Sequence, residues 1–197
     1  MLDALYQLDV TVFYFINHTL SNPVFDKFFP FITEVKNWYI AYIILFLILV
    51  IKGGRLGRVA AVGSLLLVVT SDQLSSYFIK HLVERIRPCN VLPDVRLLVG
   101  ATQSFSFPSS HAVNNFAAAM YFYKIFPKYK WSFFIVAFLL AFSRPYVGVH
   151  YPSDIIAGAI IGMLIGYLFS IIAIKVDALF IKRGTKITDR YERVEFK

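Results

Sequence analysis

Apolar residues run almost unbroken through 38–51, stop at Lys52-Gly53-Gly54-Arg55, and resume over 58–79, where Asp72, Gln73, Ser75 and Ser76 interrupt the far end. Runs this uniform predict helices surrounded by lipid, since a helix packed on a soluble core would show a polar stripe. Two more runs, 112–126 and 131–142, are joined by Pro127-Lys128-Tyr129-Lys130, a connection short enough to require an antiparallel hairpin. A fifth extends from 155 to about 174. Several of these are shorter than the ~20 residues that cross about 30 Å of hydrocarbon, so the polar turns at their ends are expected to lengthen each helix.

Ahead of the first span the pattern changes. Over residues 2–20, Leu5, Leu8, Val12, Phe15 and Ile16 interleave with Asp3, Gln7, Asp9 and Asn17 at roughly helical period, predicting an interfacial amphipathic helix. Asn22-Pro23 ends it, and the aromatic-rich stretch 25–34, with a second break expected at Pro30, suits headgroup depth. The expected fold is therefore all-α: a polytopic transmembrane helical bundle of about five spans plus the N-terminal helix. Residues 1–197 are read as one integral membrane domain, with an interfacial segment at 1–36 and a basic tail at 175–197.

Composition sharpens this picture. With 58% hydrophobic residues in 197, the chain carries more apolar surface than one soluble core can hide. The net charge of +8 is scattered over loops and tail, so nucleic acid is not expected as a partner; anionic lipid headgroups at the basic loops and tail are. The lone Cys89 offers no internal disulfide, and Asp3 and Asp9, without a basic leading region, argue against a removable signal peptide. Lys52, Arg55, Arg58, Lys124, Lys128, Lys130 and the tail cations Lys175, Lys182, Arg183, Lys186, Arg190, Arg193 and Lys197 fall on one face. The other face holds only Lys27, Lys36, Arg85 and Arg96 outside the polar motifs, so the first face is expected to be cytoplasmic and the second periplasmic, in an inner (plasma) membrane.

Alternating spans bring three polar motifs to that second face. Lys80 and Arg87 are seven apart, about two turns of a helix continuing to Pro88, and suit phosphate oxygens; read singly, either equally suits a cationic helix end. Pro108-Ser109-Ser110-His111 reads as a helix start whose Ser110 and His111 amides face an anion, or as a plain cap. His111 is placed to protonate a leaving oxygen. His150 precedes a second helix start at Tyr151-Pro152-Ser153, and Asp154, four residues on, can hold one ring nitrogen and leave the other to attack phosphorus. Two such ligands fall short of the three or four of a metal site, so no metal is expected. Arg144 offers a guanidinium fork to the equatorial oxygens of a transition state, or a cation for a helix C-terminus. Asp72, eight residues before Lys80, is expected about 12 Å deeper on the same face as an ion-pair partner for a motif cation. His81 and His18 are assigned no role.

Together the motifs resemble the signature of the type 2 phosphatidic acid phosphatase superfamily: Lys, six residues, Arg-Pro; Pro-Ser-Gly-His; Ser-Arg, five residues, His, three residues, Asp. The one departure is Ser110 where the pattern has Gly. The resemblance spans Lys80 to Asp154 and implies a metal-independent lipid phosphatase without cofactor. His150 would be the nucleophile forming a phosphohistidine, Asp154 its orienter and His111 the acid, with Lys80, Arg87, Ser109, Ser110 and Arg144 cradling the phosphate. The substrate would be a membrane lipid phosphate, undecaprenyl diphosphate or lipid A 1-phosphate, alternatively phosphatidylglycerol phosphate or phosphatidic acid. Two other activities stay open: lipid-to-lipid phosphotransfer, which uses the same intermediate, and lipid transport or binding without chemistry, which leaves both histidines idle.

Overall fold

The computed structural model describes residues 2–195, with side chains described from residue 3 to 181. The helices follow the apolar runs and overrun them, as their lengths required. In chain order they are α1 (Leu2–Tyr14), α2 (Phe25–Thr33), α3 (Tyr39–Lys52), α4 (Gly54–Asp72), the short α5 (Lys80–Val83) and α6 (Pro88–Val91), then α7 (Ser110–Ile125), α8 (Lys130–Tyr146) and α9 (Pro152–Glu195). Among the described residues there is no strand. Three helical stretches are long and apolar enough to cross a membrane: Val35–Lys52, Gly54–Val91 and Pro152–Ile181. α7 and α8, at 16 and 17 residues, span about 24 and 26 Å. Of the expected tail, Lys175 is described, whereas the side chains of Lys182, Arg183, Lys186, Arg190, Arg193 and Lys197 lie outside the described residues.

Lipid gives no hydrophobic drive between helices, so close packing must come from small residues. α9 supplies them at four-residue spacing. Gly158, Gly162 and Gly166 lie so close to α7 that an added Cβ would stand 2.9 Å from the Ser109 carbonyl, 2.3 Å from that of Val113 and 2.2 Å from that of Ala117. Against this pair α4 buries Ala60, Ala61 and Leu67, and the buried Tyr121 hydroxyl donates to the Ala60 carbonyl at 3.1 Å. α3 buries none of its residues and lies on the outside of α4. At the end of the bundle away from the motifs, Arg55 of α4 pairs with Asp177 of α9 at 2.6 Å.

The N-terminal segment seats on the motif end. α1 continues into one π-helical turn, Phe15–Thr19, and its apolar stripe faces outward: Leu5, Leu8, Val12 and Phe15 are exposed. Its inward side carries Phe13, Ile16 and the fully buried Asn17, whose amide donates to the carbonyls of Arg96 (3.0 Å) and Tyr146 (2.8 Å). With lipid as the outer solvent, the Asn17 amide is stable on this inward, hydrogen-bonded side. Arg96 in the long loop before α7 pairs with Asp26 of α2 at 2.6 Å.

Three expectations need correction. Pro30 does not break α2, which runs through it to Thr33. The helix from Lys80 does not continue to Arg87: it ends at Val83, Glu84 turns into the left-handed region at φ 52°, and Pro88 starts a new turn at its N1 position instead of stopping an old one. Asp72 is not an ion-pair partner. It accepts from Ser76 and from Asn114, each at 3.1 Å, and no cation lies within 4 Å of it among the described residues. The π-helical segment Gln73–Ile79 widens the helix between Asp72 and Lys80 and changes their relative direction.

Candidate active site

His150 sits in the tight turn between α8 and α9, where Gly148 takes φ 91° and packs so close to the Arg96 carbonyl that a Cβ would stand 2.7 Å from it, both of which suit glycine. Its side chain is 2% exposed. Nε2 lies 3.0 Å from Nη1 of Arg87, and Nδ1 lies 3.3 Å from Oδ2 of Asp154. A guanidinium has only donors, so Nε2 must be the accepting, unprotonated nitrogen, and the proton sits on Nδ1 facing the carboxylate. Burial, assisted by the Arg87 charge and opposed by the Asp154 hydrogen bond, pushes the imidazole down to about 3, so it is neutral at ordinary pH.

Asp154 is fully buried in the first turn of α9 and saturated with donors. Oδ2 accepts from the Tyr151 amide (2.9 Å) and the Ser106 hydroxyl as well as from His150, and Oδ1 accepts from Nη1 of Arg85 at 2.7 Å. Arg87, 4% exposed, is fixed by the carbonyls of Ser104 (2.8 Å) and Val149 (2.9 Å) and by the Ser104 hydroxyl (2.9 Å). The extended backbone at Arg87 turns its side chain back under the loop, doing what a continuous helix was expected to do.

His111 lies in the first turn of α7, its Nε2 3.1 Å from the Thr33 carbonyl. A carbonyl only accepts, so Nε2 carries the hydrogen and Nδ1 is the nitrogen not engaged by the protein. Thr33 also accepts, at its hydroxyl, from Nη1 of Arg144 at 2.7 Å. Nε of Arg144 is buried and has no hydrogen-bond partner. Lys80, 6% exposed, likewise makes no hydrogen bond or ion pair among the described residues. The buried Lys80 and Arg87 and the half-buried Arg144 are therefore three cations with no carboxylate within 4 Å among the described residues, a set that suits a doubly charged anion.

The two serines take parts of their own. Ser109 is the N-cap of α7: its hydroxyl accepts from the Ala112 amide at 3.5 Å, and its amide donates to the Asp154 carbonyl at 3.2 Å. The Ser110 hydroxyl turns into the bundle, 2.8 Å from that of Ser76. The first-turn amides of Ser110 and His111, which have no intrahelical acceptor, remain as donors beside the cations. Among the described residues no three His, Cys, Asp or Glu side chains stand close enough to share a metal ion.

Every predicted site residue thus lies at one end of the bundle. Sequence reasoning missed Arg85, Ser104, Ser106, Thr33 and Asp9. Arg85 enters the sequence reading only as a topology charge, although an arginine two places before a motif arginine is a visible signal, as is the carboxylate of Asp9 between Leu8 and Val10. Thr33 carries no local signal.

The profile of the PAP2 superfamily matches residues 61–176, which take in all three motifs. The lipid A 4'-phosphatase of Bacteroides thetaiotaomicron is 34% identical over 186 residues, covering 90% of this chain and 82% of that protein. The undecaprenyl-diphosphatase of Sulfolobus acidocaldarius is 30% identical over 139 residues, 70% of this chain and 66% of that one. The crystal structure of Aquifex aeolicus LpxE superposes with a TM-score of 0.64 at 27% identity, over 85% of this chain and 95% of the other.

Proposed function

This chain belongs to the PAP2 superfamily, and from that premise we propose that it is a lipid A phosphatase acting at the extracytoplasmic membrane face through a phosphohistidine on His150. The observation that carries this is the tautomer at His150: a neutral ring whose Nδ1–H faces Asp154 and whose Nε2 lone pair faces the cationic cradle. When phosphate enters, Lys80, Arg87, Arg144 and the Ser110 and His111 amides take its oxygens, and Arg87 exchanges Nε2 for an oxygen. A proton carried in by the phosphate monoester passes to the free Nδ1 of His111; the Nε2 lone pair of His150 then attacks phosphorus in line, the phosphorus–oxygen bond to the lipid breaks, and Nδ1 of His111 gives that proton to the departing oxygen. Asp154 stabilises the positive charge that the ring acquires. Water then gives a proton to His111 and attacks phosphorus, the phosphorus–nitrogen bond breaks, and inorganic phosphate leaves with the ring neutral again. Ser109 contributes by capping α7, and Ser110 through its amide.

Lipid A is favoured as substrate by the Bacteroides relative, whose similarity covers 90% of this chain. Undecaprenyl diphosphate is the second reading, supported by the Sulfolobus relative. The extracytoplasmic face is supported by the distribution of cations along the chain.

The test is phosphate release by purified protein in detergent with EDTA, from lipid A, undecaprenyl diphosphate, phosphatidylglycerol phosphate and phosphatidic acid, beside His150→Ala. Release that persists in EDTA, is greatest on lipid A and vanishes in the variant is expected, together with an alkali-stable, acid-labile labelled protein when 32P-lipid turnover is quenched. Turnover retained by His150→Ala would end the phosphohistidine mechanism; faster turnover of undecaprenyl diphosphate would replace the substrate. For the face, an impermeant maleimide should label Gln103→Cys in a Cys89→Ser background in intact cells, and labelling only after lysis would reverse the orientation.

A further inference from the structure

α1 carries none of the groups that touch phosphate, yet it supplies a carboxylate to the site. Nη2 of Arg85 donates to Oδ2 of Asp9 at 2.7 Å, while Nη1 donates to Oδ1 of Asp154 at 2.7 Å and to the Ser153 hydroxyl at 2.7 Å. Asp9 also receives the Ser153 amide on Oδ1 at 2.9 Å, so it caps the first turn of α9 from another helix, and it accepts the Ser153 hydroxyl. The guanidinium carbon lies over the Tyr151 ring, 3.9 Å from its centroid, a cation–π contact that adds to its hold. Side-chain exposures of 9% for Asp9, 22% for Arg85 and none for Asp154 keep water from substituting for these bonds.

We propose that Asp9 is a positioning residue for phosphoryl transfer, holding and half-neutralising Arg85 so that Asp154 keeps its orientation and charge for His150. This rests on the assignment of His150 and Asp154 given above. Two carboxylates share one cation here. Without the Asp9 charge, Arg85 draws on Asp154 alone, and Oδ2 becomes a poorer partner for the ring as it gains positive charge on attack. The cost falls on the chemical step and spares the cradle, because Asp9 touches none of Lys80, Arg87 or Arg144.

Asp9→Asn keeps the shape and some of the hydrogen bonds while removing the charge. Rates are measured on lipid phosphate in detergent and normalised to vanadate-binding sites, so that misfolded molecules do not count. The expected result is a kcat lower by about 10- to 100-fold, the size of a lost charge-assisted hydrogen bond, with KM within about twofold. Asp9→Glu should restore most of the rate, and Asp9→Asn combined with Arg85→Gln should be no slower than Arg85→Gln alone. A wild-type kcat per vanadate site in Asp9→Asn, or multiplicative losses in the double variant, overturns the proposal. If Asp9→Asn does not fold, Ser153→Ala decides: a fall in kcat of about threefold or more at constant KM supports it, and no change overturns it. His150→Ala separates the two levels. Turnover in that variant sinks the mechanism itself, whereas an inactive His150→Ala beside a normal Asp9→Asn sinks only the role of Asp9.

Discussion

Arg144→Lys isolates one hydrogen-bond donor from the charge that carries it. Arg144 ends α8 with Nη1 on the Thr33 hydroxyl at 2.7 Å and a buried Nε that has no protein partner. An unsatisfied buried donor costs about 1–3 kcal/mol, which an oxygen of bound phosphate can return. Lysine keeps the charge but offers one nitrogen, which can serve Thr33 or phosphate and cannot reproduce the planar fork. The difference is one charge-assisted hydrogen bond, about 1.5–3 kcal/mol, or about 10- to 150-fold in an equilibrium or rate ratio. Vanadate inhibition and lipid turnover in detergent with EDTA measure it, and thermal melting checks folding. The vanadate Ki should rise by that factor, kcat/KM should fall by a similar one, and the melting temperature without anion should hold or rise. An unchanged Ki in a folded variant would refute the placement of Nε toward the phosphate.

His111→Ala should lower kcat on lipid by about 100- to 10,000-fold, and by much less on p-nitrophenyl phosphate, whose leaving group needs no proton; equal losses on both would remove the acid role. Ser110→Gly should keep kcat within about threefold, because the hydroxyl it deletes is bonded to Ser76; a large loss would place that hydroxyl on the phosphate. Gly162→Ala should lower thermal stability by about 1–3 kcal/mol, since the new methyl meets the Val113 carbonyl at 2.3 Å; wild-type melting would show that α7 and α9 can separate freely. Acidification should destabilise the fold through His150, held near 3 against an ordinary 6.5. The unfolded chain takes up that proton first, so stability intact above about pH 6.5 drains toward pH 3, and His150→Gln should show a visibly smaller acid loss of melting temperature.

The parts of this protein that were legible in its sequence are those with local causes. Apolar runs read as helices, and Pro108-Ser109 and Tyr151-Pro152 read as helix starts, because caps and proline act within a few residues. The convergence of His111, Arg144 and His150 followed from alternation of spans alone. What escaped was the inward face of the N-terminal segment. Thr33 meets His111 and Arg144 across 78 and 111 positions, and Asp9 meets Ser153 across 144. No spacing rule reaches that far. Helical period grouped Leu5, Leu8, Val12 and Phe15 correctly but put Ile16 with them, whereas Ile16 is buried beside Phe13 and Asn17; which side turns to the protein depends on the outer solvent, and the inward side takes Asp9 and Asn17 with it. The Lys80–Arg87 spacing suggested one continuous helix; the left-handed Glu84 ends it, a conformation that sequence did not announce at a non-glycine residue.

His150 stands on the boundary between two electrostatic compartments, and its chemistry follows from that position. On one side Lys80, Arg87 and Arg144 hold positive charge with no carboxylate within 4 Å, a repulsive arrangement that folding must tolerate and that a phosphate dianion relieves. On the other, Asp9, Arg85 and Asp154 form an alternating chain in which each charge has an opposite neighbour. The imidazole bridges them with its acceptor nitrogen toward the cations and its N–H toward the carboxylate, the only tautomer that both sides accept. Exchanging the roles of the two nitrogens would set N–H against N–H at Arg87 and a lone pair against a carboxylate at Asp154, losing two hydrogen bonds inside a buried site. In the proposed mechanism the attacking nitrogen is thus fixed before substrate arrives, and Arg87, which holds the ring in the waiting tautomer, would turn to the phosphate.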